Sequence, residues 1–572
     1  MKFSLKGKIT SRHQKHGWMK TIGVYMSIYA SVFALTSCAI SADSTTNTKT
    51  SLLSNGDFEK DGGNSWPAEW THPEGATWEL ENGNHFLRLK LVKPDQILTV
   101  YRSVDVRPEH KAYSLSFRVR YSDMKKGKEQ WHDGRVMLDF KDKDGNKLDP
   151  SPRAPYFNKG ASDWKEDSVE FLVPEGAVKL DILPSLIKVS SGTIDFDDFK
   201  LTAVPAEPII ARQKEAEEKR LAEVAKRAAE VKPQVPQPPA NKIPSELHVS
   251  GNKIQTSDGK DVWLQGLAVA SMEWNAAGDN VLKSIGVAIK DWKSNCIRLG
   301  VREHFWIGKG PYQKDGGAAY RQLVEDSANL CAANGVYLVI DLHRFRAPTE
   351  KDADFWKDVA TKFKNNPAVM FELFNEAHDI SWEVWRDGGI VIDEKKKDSD
   401  ALAENKEKLK SFNSVGMQKL VDVVRETGAK NIVIVGGLDW GYDLSGILNG
   451  FALNDRGGNG IVYSSHVYPW KSEWQKCFMD AAVKYPLFIG ETGCEVERMP
   501  FIPPERHEDP YTWAPDMLGI IQKNKLNWTA WCFHPKSTPR VILDWEYTPT
   551  PFWGVFVKEA LAGKQFEMKK MR

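Results

Sequence analysis

Two glutamates stand where a chain would place them for acid–base chemistry. The segment Val369-Met-Phe-Glu-Leu-Phe-Asn-Glu376-Ala-His378 has five apolar residues among its first six and then stops at an amide beside a carboxylate. Pro486-Leu-Phe-Ile-Gly-Glu491-Thr-Gly493 repeats the pattern, an apolar run ending in a glutamate flanked by glycine and Thr-Gly. A short, nearly continuous apolar run is the mark of a strand buried on both faces, and polar residues at its carboxyl end face the mouth of the sheet or barrel it belongs to. Two carboxyls so delivered meet the needs of glycosidic cleavage, one as proton donor for the leaving oxygen and one for the anomeric carbon. Burying an unpaired carboxylate is costly, so a pair of them on apolar strands calls for such a purpose.

The elements that must carry them are legible from residue 245 onward. Eight strand-like runs, 262–270, 296–301, 336–343, 369–377, 431–437, 460–468, 487–492 and 527–534, alternate with helical or loop segments. Strands alternating with helices predict a parallel α/β sheet, and eight such units predict a closed (β/α)8 or TIM barrel over residues 245–572. Polar residues gather at the carboxyl ends of the runs: Arg298, His343, Asn375, Glu376, His466, Tyr468, Glu491 and Trp531. Singly, most have a plainer reading. Arg298 is equally a buried partner for Glu372, which shares side-chain parity with Glu376; the two histidines are ordinary hydrogen-bonding residues; Trp531 plugs the barrel. No third ligand follows from the spacing of the histidines, so neither a metal nor a cofactor is expected. Trp306, Trp440, Trp470, Trp474 and His534 fall in or beside loops that follow strands, where they either line a cleft as outer subsites or pack the loops.

As an ordered set, Asn295-Cys-Ile-Arg298, Asp341-Leu-His343, Phe371-Glu-Leu-Phe-Asn-Glu376, His466-Val-Tyr468, Gly490-Glu-Thr-Gly493 and Trp531 resemble glycoside hydrolase family 5, the cellulase A family. One departure is Ala377, where the family often has proline. The resemblance implies that Glu376 is general acid and then general base, and that Glu491 is the nucleophile of a retaining glycosidase. Arg298, His343, Asn375, His466, Tyr468 and Trp531 are then expected to bind substrate, with Trp531 stacked under the reacting sugar. Arg298 and the Tyr468 hydroxyl are expected to keep Glu491 ionised, while a less solvated Glu376 near His466 stays protonated until needed. Asn375 is placed for the sugar 2-hydroxyl. The stretches Gly436-Gly-Leu-Asp-Trp440 and His466-Val-Tyr-Pro-Trp470 look like the cellulase branch and favour an endo-acting β-1,4-glucanase. A β-1,4-mannanase is the nearest rival, since glucan and mannan differ at one sugar carbon.

The rest of the chain is organised around delivery. Basic residues Lys2 to Lys20, an apolar segment from Thr21 to Leu35, and Leu35-Thr-Ser-Cys38 resemble a bacterial lipoprotein signal. It implies removal of residues 1–37, acylation of Cys38 and an extracytoplasmic, membrane-anchored protein; an ordinary secretory signal cut near Ser41-Ala42 is the alternative. Residues 51–204 read as an all-β sandwich, with alternating runs such as Tyr113 to Tyr121 and Arg135 to Phe140. Its opening Leu53-Ser-Asn-Gly-Asp-Phe-Glu59 and closing Ile194-Asp-Phe-Asp-Asp-Phe-Lys-Leu201 resemble jelly-roll carbohydrate-binding modules. Trp66, Trp70, Trp78, Trp131 and Trp164 serve there either as a sugar platform or as packing. Residues 205–244 read as a linker, helical from Ala211 to Lys232 and then proline-rich and extended. With 78 Lys and Arg against 77 Asp and Glu, net charge supplies no attraction to nucleic acid or anionic lipid. The expected partner is a polysaccharide, and the membrane is met only through the lipid. Two readings from other classes stand beside this one: a surface glycan-binding protein with a catalytically dead barrel, and a structural envelope protein.

Overall fold

The computed structural model describes residues 51–392 and 411–572. The signal segment and Cys38 lie outside the described residues. The chain forms two compact units, one ending at Ala211 and one running from Arg212 to Arg572.

In the second unit a closed barrel is built from β1 (Gln265–Val269), β2 (Cys296–Val301), β3 (Tyr337–Leu342), β4 (Val369–Glu372), β5 (Val433–Gly436), β6 (Ile461–Val467), β7 (Leu487–Thr492) and β8 (Asn527–Ala530). Neighbours are parallel throughout, and β1 closes on β8 with Gln265 opposite Trp528. Each strand falls inside one of the eight runs read from sequence. Alternation then sorts the side chains. Ile297, Leu299, Leu338, Ile340, Phe371, Val433, Val435 and Ile489 point outward into the main apolar cluster with the helices. Cys296, Val339, Met370, Ile434, Val462 and Phe488 point inward and seal the lower barrel with an apolar layer. Two residues further along the same strands, the inward positions become Arg298, Asp341, Glu372 and Ser464, all fully buried. The catalytic end of the barrel is thus a polar layer resting on an apolar plug.

The fourth unit of the barrel departs from the sequence expectation. The ladder ends at Glu372, whereas the apolar run continues to Ala377. Leu373 and Phe374 leave it, and Glu376–Ala377 form a separate short pairing with Phe345–Arg346. The helix that precedes β4 holds the exit. Helix Glu350–Phe363 begins at Thr349, whose side chain and that of Asp352 form a reciprocal capping box. It buries Trp356 completely, and the Trp356 indole N–H donates to the Leu373 carbonyl at 2.8 Å. That bond satisfies a carbonyl that has left the ladder two residues before Asn375.

The linker also differs from a free spacer. Its helix spans Glu207–Glu230, and from Arg212 onward it belongs to the barrel unit. The proline-rich stretch lies along the barrel's surface: the buried Asp326 carboxylate accepts the backbone N–H of Gln234 and Val235 at 3.0 and 3.2 Å. Proline's missing donors leave few N–H groups there, and a buried carboxylate takes two that remain.

The first unit has two antiparallel sheets sharing one apolar core. One orders the strands Ala76–Glu81, Asn84–Lys90, Ser191–Ala203, Ala112–Lys125 and Lys159–Leu172; the other is built around Lys179–Ile187 and Gly134–Lys141. In Ala112–Lys125, Tyr113, Leu115, Phe117 and Val119 are buried while Ser114, Ser116, Arg118 and Arg120 face away from the core. Trp66 and Trp70 are core residues, with indole N–H groups bonded to the carbonyls of Trp70 and Asn55, so neither offers a sugar platform. Trp131 is exposed. Replacing Trp356 by Phe keeps the ring but orphans the Leu373 carbonyl, a loss of about 1–3 kcal/mol. A lowered thermal midpoint accompanied by a fall in kcat is expected, because the bond lies beside the Asn375-Glu376 turn; unchanged values of both would contradict this role.

Candidate active site

Arg298 is the hub of the polar layer. Its guanidinium is fully buried, with Nε donating to Glu372 Oε2 at 2.5 Å, Nη1 to Glu491 Oε1 at 2.7 Å and Nη2 to Asn375 Oδ1 at 2.7 Å. Nη2 also lies 3.1 Å from Asp341 Oδ2. Arg298 is therefore the buried partner of Glu372, and it orients Glu491 and Asn375; with no exposed surface and its donors so committed, it is not placed to touch a sugar, against the expectation that it binds substrate. Burial opposes the charge of Arg298, but three carboxylates around it raise its pKa further above the ordinary value. Burial likewise opposes ionisation of Glu372, yet Arg298 and His466 bring its pKa down to about 2.

Glu491 reaches the interior by a backbone irregularity. On β7, Phe488 and Gly490 have inward parity, and plain alternation would turn Glu491 outward. The register slips by one residue against both neighbours: Ser464 pairs with Phe488 but His466 with Glu491, and Ile489 pairs with Trp528 but Thr492 with Ala530. This bulge re-aims Glu491 into the barrel. Gly490 makes room for it, since a Cβ there would stand 2.4 Å from Ser464 Oγ and 3.0 Å from Glu372 Oε1. The Tyr468 hydroxyl donates to Glu491 Oε2 at 2.6 Å. Burial pushes the Glu491 pKa up, but the charges of His466, Arg298 and His343 and the Tyr468 hydrogen bond outweigh it, and the net direction is down.

Glu376 is only partly buried and faces the same space. His466 Nδ1 lies 3.0 Å from Glu376 Oε1 and 3.7 Å from Glu491 Oε2, and donor atoms of these three residues all lie within 4.8 Å of one another. Burial works against protonation of His466, but Glu491, Glu372 and Glu376 raise its pKa to about 10. His466 thus stands beside Glu376, where the sequence reading put it, and the Glu376 side chain keeps 13% of its surface exposed. The same trio has the convergence of a metal site, but a ligating imidazole must first lose its proton, and three carboxylates hold it on. Asn375 is fully buried, and its Nδ2 has no partner among the described residues.

Around this centre the His343 Nδ1–H donates to Asp341 Oδ2 at 2.7 Å, and the ring stacks on Trp531 at 5.4 Å and 14°. Trp531 is nearly buried and its N–H reaches the Thr538 carbonyl. Trp470 lies parallel to Tyr468 at 4.8 Å. Trp440 is 40% exposed, stacks on His378 at 3.6 Å and adjoins Phe345. Three expected outer-subsite residues are not available to a ligand. Trp306 is buried and its N–H donates to Asp358 at 2.5 Å; Trp474 is buried against Phe478 and Trp513; His534 is buried beside Asp279. Each follows a strand end, but the chain turns there at once into helix or loop packing. Sequence reasoning passed over Trp274, 45% exposed and edge-on to His534 in the loop after β1, and Ser464, whose hydroxyl donates to Glu372 at 3.0 Å. Parity with His466 on the same strand was the signal for Ser464.

Residues 256–537 match the family model described as cellulase, glycosyl hydrolase family 5. The barrel domain belongs to that family. It is a glycosidase. Among curated relatives it is similar to cellulase CelDZ1 of Thermoanaerobacterium sp, 23% identical over 305 residues that cover 51% of this chain and 71% of that protein. It is also similar to endoglucanase C of Evansella cellulosilytica, 23% identical, covering 55% of this chain and 41% of the relative. Among solved structures, a β-glucanase SdGluc5_26A from Saccharophagus degradans in complex with cellotetraose is 21% identical, covers 58% of this chain and 97% of that one, and gives a TM-score of 0.44.

The geometry of the family 5 domain makes a pH dependence explicit. A carboxylate that must be charged loses its function as pH falls through its pKa, and the Tyr468 hydroxyl is one of the groups holding the Glu491 pKa down. Tyr468→Phe removes that donor, so the acid limb of the kcat/KM profile shifts to higher pH. A limb at the parent's position would show that the hydroxyl does not bear on the ionisation that matters.

Proposed function

We propose that the barrel is an endo-β-1,4-glucanase working by a two-glutamate double displacement. The observation that carries the reading is the approach of Glu376 and Glu491 to within 4.8 Å across one barrel mouth. So close an approach favours a retaining pair, whose carboxyl groups stand about 5–5.5 Å apart, over an inverting pair at about 6.5–9.5 Å. Glu376 protonates the glycosidic oxygen as Glu491 attacks the anomeric carbon, giving a glycosyl ester and a shortened chain with a new free end. Glu376, now deprotonated, takes a proton from water, which adds to the same carbon and releases Glu491. Arg298 and Tyr468 keep Glu491 anionic and oriented for attack. The unpartnered Asn375 Nδ2 is the donor available to the sugar 2-hydroxyl, a contact that tightens as positive charge develops in the ring. Trp440 and Trp470 at the rim, with Trp274, supply faces for flanking sugars.

Glucan is the favoured substrate. The names of the relatives, cellulase and endoglucanase, support that choice, as do the stretches around Trp440 and Trp470. The reading extends to the remainder of the chain: the first unit is a jelly-roll carbohydrate-binding module, and the lipoprotein-like start with Cys38 places the enzyme on a bacterial membrane outside the cytoplasm. Both rest on the sequence resemblances and, for the module, on two antiparallel sheets around one core.

Turnover of soluble β-glucan and of an aryl β-cellobioside tests the assignment. Glu491→Gln is expected to lower kcat at least about 10⁴-fold on both. Glu376→Gln should lose about 10²–10⁴-fold on the polysaccharide, yet spare the first chemical step on an aryl glycoside whose leaving group needs no proton. Parent-like activity of either variant on the polysaccharide would refute the roles, and faster cleavage of mannan than of glucan would refute the substrate.

A further inference from the structure

The open face of the five-stranded sheet in the first unit carries a cavity of about 310 Å³, lined by Arg88, Lys90, Arg120, Tyr121, Ser122, Thr193 and Asp195. Strand pairing resolves most of these into two adjacent rows. Asp195 stands opposite Arg88 on one side and Arg120 on the other; two residues along, Thr193 stands opposite Lys90 and Ser122. Period-two alternation puts both rows on the face away from the core residues Leu87, Leu89, Ile194 and Phe196.

The first row is a finished carboxylate-binding arrangement. Arg88 donates Nε and Nη2 to the two Asp195 oxygens at 2.8 and 2.9 Å, and Arg120 Nε adds a third bond at 2.9 Å. Arg120 spends its Nη1 on Glu81. The second row is unfinished. Among the described residues Lys90 has no ion-pair partner, and the Ser122 and Thr193 hydroxyls have no side-chain bond. Arg88 Nη1 has no hydrogen bond among the described residues. Nor do the nearby rings offer an open stacking surface. Arg118 and Arg120 lie over Trp164 at 5.0 and 4.7 Å, Arg88 and Arg120 over Phe86 at 5.4 and 5.1 Å, and Lys165 over Tyr121 at 5.4 Å. A neutral sugar held by aromatic stacking is poorly served here, whereas an acidic one finds cations already arranged.

We propose that this two-row pocket binds a uronic-acid residue of an acidic polysaccharide, its carboxylate on Lys90 and Arg88 and its ring hydroxyls on Ser122 and Thr193. Carboxylate is chosen over sulfate ester because the two donors left over, Lys90 Nζ and Arg88 Nη1, match its two oxygens and single charge. The inference rests on the reading of the first unit as a glycan-binding module and goes beyond it in assigning the place and the charge. The enzyme would then be held on acidic wall or matrix polymer while its barrel works on a neutral one.

Affinity electrophoresis of the full chain through gels containing polygalacturonate, dextran sulfate or neutral β-glucan reads this directly. The parent should be retarded by polygalacturonate more strongly than by dextran sulfate. Lys90→Glu, at an exposed position outside the Asp195 network, should raise the Kd for polygalacturonate at least about tenfold by replacing attraction with repulsion, and leave β-glucan retardation and hydrolysis unchanged. Arg88→Gln should weaken the same binding, and intact β-glucan hydrolysis with an unchanged melting profile would separate that effect from misfolding. Equal retardation of parent and Lys90→Glu by polygalacturonate overturns the pocket assignment while leaving a glycan-binding module in place. Stronger retardation by dextran sulfate overturns the choice of carboxylate. Retardation by none of the polymers except the barrel's own substrate overturns the pocket and the module together.

Discussion

A single buried guanidinium ties the catalytic end of the barrel together. Arg298 has no contact with water, yet within 3.1 Å it meets acceptors on Asp341, Glu372, Asn375 and Glu491, contributed by three different barrel staves and by the turn that leaves β4. Taking one charge out of water costs several kcal/mol, and only close partners on every side repay it. Such a cluster contributes little net stability compared with an apolar plug of the same volume. What it supplies is position: Glu491 and Asn375 are held by the same rigid fork, so the carboxylate and the amide face the reacting sugar from fixed places. His466 completes the balance from the other side, a raised-pKa imidazolium set among Glu372, Glu376 and Glu491.

The layer below explains how so much charge is tolerated. Cys296, Val339, Met370, Ile434, Val462 and Phe488 fill the lower barrel with apolar volume, and the polar set begins two residues later on the same strands. Water reaches the centre only from the mouth, and the fields of Arg298 and His466 act at low dielectric on Glu491. The rim is aromatic: Trp440, Trp470 and Trp274 stand partly exposed around a charged well.

Much of this was legible in the sequence because the barrel obeys alternation. All eight strands lie within apolar runs, and Arg298, His343, Asn375, Glu376, His466, Tyr468, Glu491 and Trp531 gather at one end because the carboxyl ends of parallel strands share one face. Three features were not legible. The inward aim of Glu491 depends on a bulge that no residue type announces, and simple parity with Phe488 would have sent it outward. Trp306 and Trp474 read as rim residues from their place after strands, but the chain turns back there and buries them. The proline-rich stretch carries the composition of a free linker, and its anchorage comes from a distant carboxylate, Asp326, that local pattern does not reveal. In the first unit the strands were readable, while the cross-strand rows that form the cationic pocket depend on register between segments about a hundred residues apart.

In the proposed double displacement Glu491 attacks, and Glu376 serves as acid, at the same linkage, with oxygens of the two side chains within 4.8 Å of each other. Proton NMR of the first product formed from a β-linked cello-oligosaccharide tests that spacing most directly. The account predicts that the β-anomer appears first and mutarotates afterwards to the equilibrium mixture. Initial appearance of the α-anomer would contradict it, since that outcome requires a direct attack by water.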